Sequence, residues 1–198
     1  NEINTLTNGK RISIESALDL YKFGNSQSVN FNSQQKTNPY IFTNTINKVL
    51  SLNYVLLADI DYSSMHAQKF VPIGTEIVLE DSVGGTDVEY VFEFTGSFDG
   101  NGFEISSLYL ASLPYISVTF VDENESTAIT TSTIKHYSMF ANVGTNAVIK
   151  DFILRNPSYE LNVIDDSADI FNFSYLLGNN KGTIENIAVI DKKTNTSG

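Results

Sequence analysis

Cysteine is absent, which removes disulfides, thiolate zinc sites and thiol nucleophiles. Basic residues are scarce: 12 Lys and Arg stand against 23 Asp and Glu, a formal net charge of -11. Nucleic acid binding needs clustered cations to neutralise phosphates, so the charge argues against it. The same charge opposes an electrostatic hold on anionic lipid. No run approaches the roughly 18 apolar residues of a membrane span, so no membrane insertion is expected. Histidine is limited to His66 and His136, both in loop-like segments, and no His-Glu-x-x-His occurs. There is no Gly-x-Ser-x-Gly elbow, although "TGSFDG" superficially suggests one, and no Gly-x-Gly-x-x-Gly or P-loop follows a strand. Zinc, serine-hydrolase and nucleotide chemistry are therefore not expected. Tryptophan is also missing, while Phe (13) and Tyr (10) are plentiful.

The 198 residues are 41% hydrophobic and 18% charged. That balance can bury a core and excludes a disordered chain. The chain begins at Asn1 without Met or a basic-plus-apolar leader, as expected of a mature chain or an excised segment. In "SIESALDLYKFGN", Ile14, Ala17, Leu18 and Tyr21 form one apolar stripe, predicting a helix over 13–23. Ser13 is the expected N-cap, Glu15 and Asp19 suit the helix dipole, and Gly24 is placed to end the helix in a left-handed conformation. Residues 25–38 are polar and read as a loop, and Pro39 argues against helix there.

From residue 50 the pattern is short strands separated by turn residues. Inward positions are expected at Val55, Leu57 and Ile60, then at Val88, Tyr90, Phe92 and Phe94, then at Ile105, Leu108 and Leu110. A pattern Ile-x-x-apolar-x-apolar recurs as Ile105–Leu108–Leu110, Ile149–Phe152–Leu154 and Ile184–Ile187–Val189, at intervals of 44 and 35 residues. Each copy follows a Gly/Asn-rich corner: "DGNG", "NVGTNA" or "GNNKG". A plain strand alternates with period two. An apolar step of three and then two implies a bend after the Ile. Repeated corner-and-strand units with insertions between them suggest a solenoid. An antiparallel β-sandwich fits the same periodicity. The last strand is expected to end near Ile190, and "DKKTNTSG" reads as a frayed end or a linker onward.

"ISIESALDLYKFGNS", "YVLLADIDYSS", "FVPIG" and "FTGSFDGNGFEISSLYL" occur in an order that resembles bacterial surface proteins. "YSMFANVGTNAVIKDFIL" and "YLLGNNKGTIENIAVI" resemble the GLUG motif of secreted and cell-surface proteins, including the non-catalytic region of IgA-specific metallopeptidases. Phe70 stands where that family often has Trp, Phe103 where it has His, and "SMFA" (138–141) where it often has "GLFG". The resemblance implies an all-β right-handed parallel β-helix with an N-terminal capping helix (13–23), coils over 50–190 and inserted loops or hairpins. It implies one domain over 1–198, part of a longer surface protein.

"FDGNGFE" raises the question of calcium. An EF-hand loop needs Asp or Asn at its first, third and fifth positions and Gly at its sixth. Asp99 and Asn101 fit, but Phe103 and Glu104 do not, and a turn role is favoured because Asp, Asn and Gly suit corners. Asp59 and Asp61 in "ADID" place two carboxylates on one side of an extended segment, as a glycoside-cleaving pair would need. Tyr109, Tyr115, Tyr137, Tyr159 and Tyr175 are candidates for an exposed binding face. Residues 111–137 read as a hairpin-like insertion that could carry binding. "TTST" (130–133) is not repeated, which weakens a flat ice- or glycan-binding face.

The expected function is a non-enzymatic extracellular or cell-surface module for display or adhesion, a monomer whose partner is a host protein or glycan. No cofactor, metal or catalytic residue is assigned. The alternative is a polysaccharide-degrading β-helix enzyme that uses paired carboxylates.

Overall fold

The computed structural model describes residues 11–27, 30–31, 39–68, 70–74, 76–79, 88–110, 118–121, 127–130, 136–159 and 172–192. In chain order the elements begin with β1 (Ile12–Ile14), α1 (Ala17–Asn25), β2 (Asn30–Phe31), α2 (Pro39–Leu50), β3 (Asn53–Leu56) and β4 (Ile60–Asp61). They continue through β5 (Glu76–Leu79), β6 (Val88–Val91), β7 (Ser97–Asp99), β8 (Glu104–Ser106), β9 (Tyr109–Leu110), β10 (Val118–Val121) and β11 (Thr127–Thr130). The last are β12 (His136–Tyr137), β13 (Phe140–Val143), β14 (Val148–Arg155), β15 (Ser158–Tyr159), β16 (Asn172–Phe173), β17 (Leu177–Asn180) and β18 (Thr183–Ile190). A 3₁₀ turn spans Tyr62–Met65.

The protein is mostly β, with parallel strands and two helices. Successive passes of the chain return in the same direction and pair residue on residue. Ile12, Tyr54, Phe98, Ile149 and Ile184 are in register across β1, β3, β7, β14 and β18. Ile60, Ile105, Leu154 and Val189 form a second column. Phe70, Leu110 and Tyr159 form a third, and Ile73, Phe140 and Leu177 a fourth. Most of these side chains are buried, including Phe98, Ile105, Leu110, Phe140, Ile149 and Leu154. Each such side chain contributes about 1.5–3 kcal/mol by leaving water.

The helices differ from expectation. Residues 12–14 are strand, because Ile12 and Ile14 pair with Tyr54 and Leu56. The N-cap is Ser16, extended in backbone, whose hydroxyl accepts the Asp19 N–H, and the helix runs Ala17–Asn25 rather than 13–23. Gly24 lies inside α1 and is not left-handed. Its small size matters instead, since a Cβ there would sit 3.0 Å from the Val71 carbonyl oxygen. Helix α2 begins at Pro39, directly after the segment expected as loop, and is not anticipated by the sequence pattern. A first-turn proline loses no hydrogen bond, because that N–H has no intrahelical partner.

Strand faces also differ at one place. In β3 Tyr54 and Leu56 point inward, while Val55 is half-buried and Leu57 is 47% exposed. Ile60, Ile105, Leu108 and Leu110 are buried as expected, as are Phe92 and Phe94. Tyr90 is half-buried, and the Val88 side chain lies outside the described residues. Two antiparallel pairs interrupt the parallel passes. β5 pairs with β6, and β10 pairs with β11 within the expected 111–137 insertion. β10 also pairs in parallel with β2.

Candidate functional site

Left-handed residues mark the corners. Asn101 (φ 53°), Asp151 (φ 60°) and Asn186 (φ 51°) stand at one corner, and Ser107 (φ 57°) and Asn156 (φ 46°) at the next. Asn and Asp tolerate this region better than other side chains with a Cβ. In the repeated Ile-x-x-apolar-x-apolar pattern the third residue is Ser107, Asp151 or Asn186. The left-handed residue there reverses the facing of the strand, so the apolar step lengthens from two to three. The second and third copies are in register, Ile149 on Ile184, Phe152 on Ile187 and Leu154 on Val189. The first copy is displaced by one corner: Ile105 pairs with Leu154, and Phe98 is the partner of Ile149.

"FDGNG" is thus the longer edition of the corner that reads "KDF" and "ENI" in the next passes. It is fastened to the following pass by Gly100 N–H to Lys150 O (2.8 Å) and Gly102 N–H to Asp151 O (2.7 Å). Asp99 lies in an Asx turn, its Oδ1 accepting the Asn101 N–H at 2.9 Å. Its Oδ2 faces Arg11 at 3.0 Å and Lys150 at 3.5 Å. Lys150 also donates to Asp151 Oδ2 (2.9 Å), and Asn186 donates to Asp151 Oδ1 (2.9 Å). The result is a line of charges and amides from Arg11 to Asn186 along the outside of the corner. The Lys150 hydrogen bond, then that of Asn186, holds the Asp151 carboxyl below its usual range. Asp151 in turn raises Lys150, with Asp99 adding to it. A groove of about 440 Å³ lies beside this line, between Gly102, Asp151, Phe152, Asn186 and Ile187.

The other sequence candidates are dispersed. Asp59 Oδ1 accepts the Glu104 N–H at 2.8 Å. Asp61 caps the 3₁₀ turn, accepting from the Ser63 N–H (3.0 Å) and hydroxyl (2.9 Å), and these bonds lower its pKa. No hydrogen bond or ion pair joins any two of Asp59, Asp61 and Asp99. Among the described residues no group of three or more His, Asp or Glu could hold a metal ion. His66 Nε2 lies 3.0 Å from the Ser107 carbonyl oxygen, and its ring is 5.2 Å from Tyr109. The side chain of His136, all of Tyr115 and residues 131–133 of "TTST" lie outside the described residues.

Aromatic rings do come together at the last passes. Tyr137 stacks on Phe173 at 4.9 Å, Phe173 on Tyr159 at 5.7 Å, and Tyr159 lies 5.5 Å from Tyr175. Phe173 is 42% exposed, Tyr159 and Tyr175 are half-buried, and Tyr137 is buried. The Tyr175 hydroxyl donates to Asp191 at 3.3 Å; burial first, then Asp191, raises its pKa. The sequence pointed to three of these rings and missed Phe173. The register of β12 with β16, Tyr137 on Phe173, places it there. A second hollow, about 180 Å³, opens where Ile12, Ile14, Phe23, Val49, Leu52 and Tyr54 meet, with Asp19 and Lys22 at its rim.

Comparison with family models, curated proteins and solved structures finds no match to this chain.

Proposed function

We propose that this chain is a non-enzymatic, extracellular β-helical module of an adhesin-type bacterial surface protein, which displays a binding face to a host protein or glycan. The in-register columns of parallel strands support a solenoid in which each pass is one coil, and its right hand is what the resemblance implies. In that reading α1 is the cap, since Phe23 enters the stack and packs on Tyr54 at 4.2 Å and on Phe98 at 5.7 Å. A solenoid end needs such cover because it otherwise leaves backbone groups and apolar side chains exposed. The resemblance to GLUG-motif proteins supplies the surface context. The acidic composition agrees with it.

The observation that carries the binding reading is the aromatic run Tyr137, Phe173, Tyr159 and Tyr175. Phe173 is exposed and Tyr159 and Tyr175 are half-buried, and such accessible ring edges with a hydroxyl rim suit the apolar faces of sugars or a protein hot spot. The carboxylate-enzyme alternative has less support, because Asp59 and Asp61 are each committed to nearby backbone N–H groups. The test is a glycan and host-protein binding screen on the whole chain, beside Phe173→Ala and a variant lacking residues 111–137. Binding that Phe173→Ala weakens at least tenfold supports the aromatic face, and binding lost only with 111–137 moves the site to the insertion. Depolymerisation of an acidic polysaccharide by the wild-type chain, abolished by Asp61→Asn, overturns the reading.

A further inference from the structure

The strand β18 presents an open edge. It pairs with β14 along one side, from Thr183 to Ile190, and no described strand pairs with its other side. Its inward residues Ile184, Ile187 and Val189 continue the columns of Ile149, Phe152 and Leu154, and among the described residues no further strand lies on them. Val189 is 43% and Ile190 39% exposed, and Ile184 and Ile187 are only partly covered. The N–H and C=O groups of β18 that point away from β14, beside an apolar face, form a ready template for another strand.

We propose that this edge is where two copies of the chain join end to end, β18 against β18 in antiparallel register about a two-fold axis. Three observations favour a second copy. Edge length is the first: β18 offers eight residues, while β1, the strand at the far edge of the same sheet path, offers three. Among the described strand edges only a second β18 matches the full length, and pairing like with like closes the assembly as a dimer instead of a filament. Charge is the second. The chain carries -11 overall, yet the segment from Lys181 to Lys192 holds two lysines against Glu185 and Asp191 and is locally neutral. Two acidic copies can therefore approach here with the least repulsion. The third is the apolar face itself, which the antiparallel pairing converts into one core shared by both copies. This rests on the strand pairing alone and stands whether or not the chain binds a host molecule. It makes a pair, in place of the monomer expected with the surface-module reading, the state to be tested.

Sedimentation equilibrium on the full chain over a hundredfold range of concentration should show a monomer–dimer equilibrium. Val189→Lys and Ile190→Lys should each shift it at least tenfold toward monomer, while Leu57→Lys, an equally exposed apolar site on β3's exit, should leave it unchanged. Amide hydrogen exchange separates pairing from misfolding: protection of residues 183–190 should rise with concentration in the wild type, while core amides of β14 stay protected in every variant. A monomer at all concentrations overturns the proposal. So does a dimer that survives both lysine variants without concentration-dependent protection of β18, or an open-ended series of larger species.

Discussion

The side-chain amide of Asn186 reaches down one pass of the chain to the carboxylate of Asp151, at 2.9 Å. Both residues are left-handed, and both stand third in the apolar repeat. The same polar, left-handed position thus shapes the corner and ties neighbouring passes together.

Acid should loosen this tie. The Asp151 pKa is lowered in the folded state, by Lys150 first and Asn186 second. A depressed carboxylate contributes stability that is present above its unfolded pKa, near 4, and is lost as pH falls through its folded value. Asp61, lowered by its bonds to Ser63, acts in the same direction. The melting temperature should therefore fall as pH drops below about 4. Asp151→Asn, which keeps a left-handed-tolerant residue, should flatten part of that fall. Lys150 works with the opposite sign: its raised pKa adds stability that is lost only in strong alkali, above the ordinary lysine value. Melting curves from pH 2 to 7 on the wild type, Asp151→Asn and Asp61→Asn check the assignment.

The two glycines of "FDGNG" should respond differently to the same substitution. Gly100 is not left-handed, but a Cβ on it would collide with the Phe152 Cβ and the Asp151 carbonyl. Gly102 has φ +82° and nothing near the place of its Cβ. Gly100→Ala must push two passes apart and should cost about 1–3 kcal/mol or more. Gly102→Ala meets only backbone strain and should cost about 1 kcal/mol. Gly102→Asn should cost less than Gly102→Ala, because Asn accepts the left-handed region more readily. Equilibrium urea unfolding of the three variants gives the order.

Calcium should matter little to this corner. Asp99 has one oxygen on the Asn101 N–H and the other facing Arg11 and Lys150, so a cation would have to displace two positive groups. Neither EDTA nor millimolar calcium should move the melting temperature by more than a degree or so. A clear stabilisation by calcium, lost in Asp99→Asn, would contradict the turn-former role.

The sequence carried the corners better than the faces. Ile149–Phe152–Leu154 and Ile184–Ile187–Val189 lie one on the other because their spacing and their left-handed third residue are the same. The earlier pass was misaligned because its corner is two residues longer and its first core residue is Phe98, not Ile. In "YVLL" all four residues are apolar, so alternation could not tell Tyr54 and Leu56 from Val55 and Leu57. Pro39 was read as a helix breaker, although at a first turn it has no hydrogen bond to break. The aromatic run is drawn from positions 137, 159, 173 and 175, which only the stacking of passes brings within ring contact. The polar line of Arg11, Asp99, Lys150 and Asp151 likewise joins residues far apart in the chain.

Helix α1 sends the ring of Phe23 into the core, beside the fully buried Leu20. Phe23 is 4% exposed and lies within 6.3 Å of the rings of Tyr54, Phe94, Phe98 and Phe140. Phe23→Ala should destabilise the chain by about 3–5 kcal/mol. Phe23→Leu keeps most of the volume and should recover more than half of that. If helix docking is part of the cooperative fold, chemical denaturation followed by helical and by tyrosine signals will give coincident transitions in the wild type.

Gln27 offers the sharpest test of a polar group inside the core. It is fully buried, in a segment whose composition reads as a loop. Its Nε2 donates to the carbonyls of Gly24 (3.1 Å) and Pro72 (2.9 Å), and its Oε1 accepts the Gly74 N–H at 2.8 Å. One side chain thus satisfies three backbone groups and fastens the end of α1 to the Pro72–Gly74 corner. Gln27→Ala leaves those groups without it, and each unmet buried group costs about 1–3 kcal/mol, so a loss above about 2 kcal/mol is expected. Gln27→Glu has nearly the same shape but, when ionised, has no donor for the two carbonyls and buries a charge. Burial and the facing carbonyls should raise that carboxyl's pKa in the folded state, so the folded form holds its proton longer than the unfolded one. The penalty is then smallest in acid and grows as pH rises above the unfolded value, about 4.3. Unfolding free energies at pH 4.5 and pH 7.5 should show Gln27→Glu closer to wild type at the lower pH, while the Gln27→Ala deficit stays the same at both. Equal deficits for Gln27→Glu at the two pH values would mean that the side chain at this position is not held against the two carbonyls.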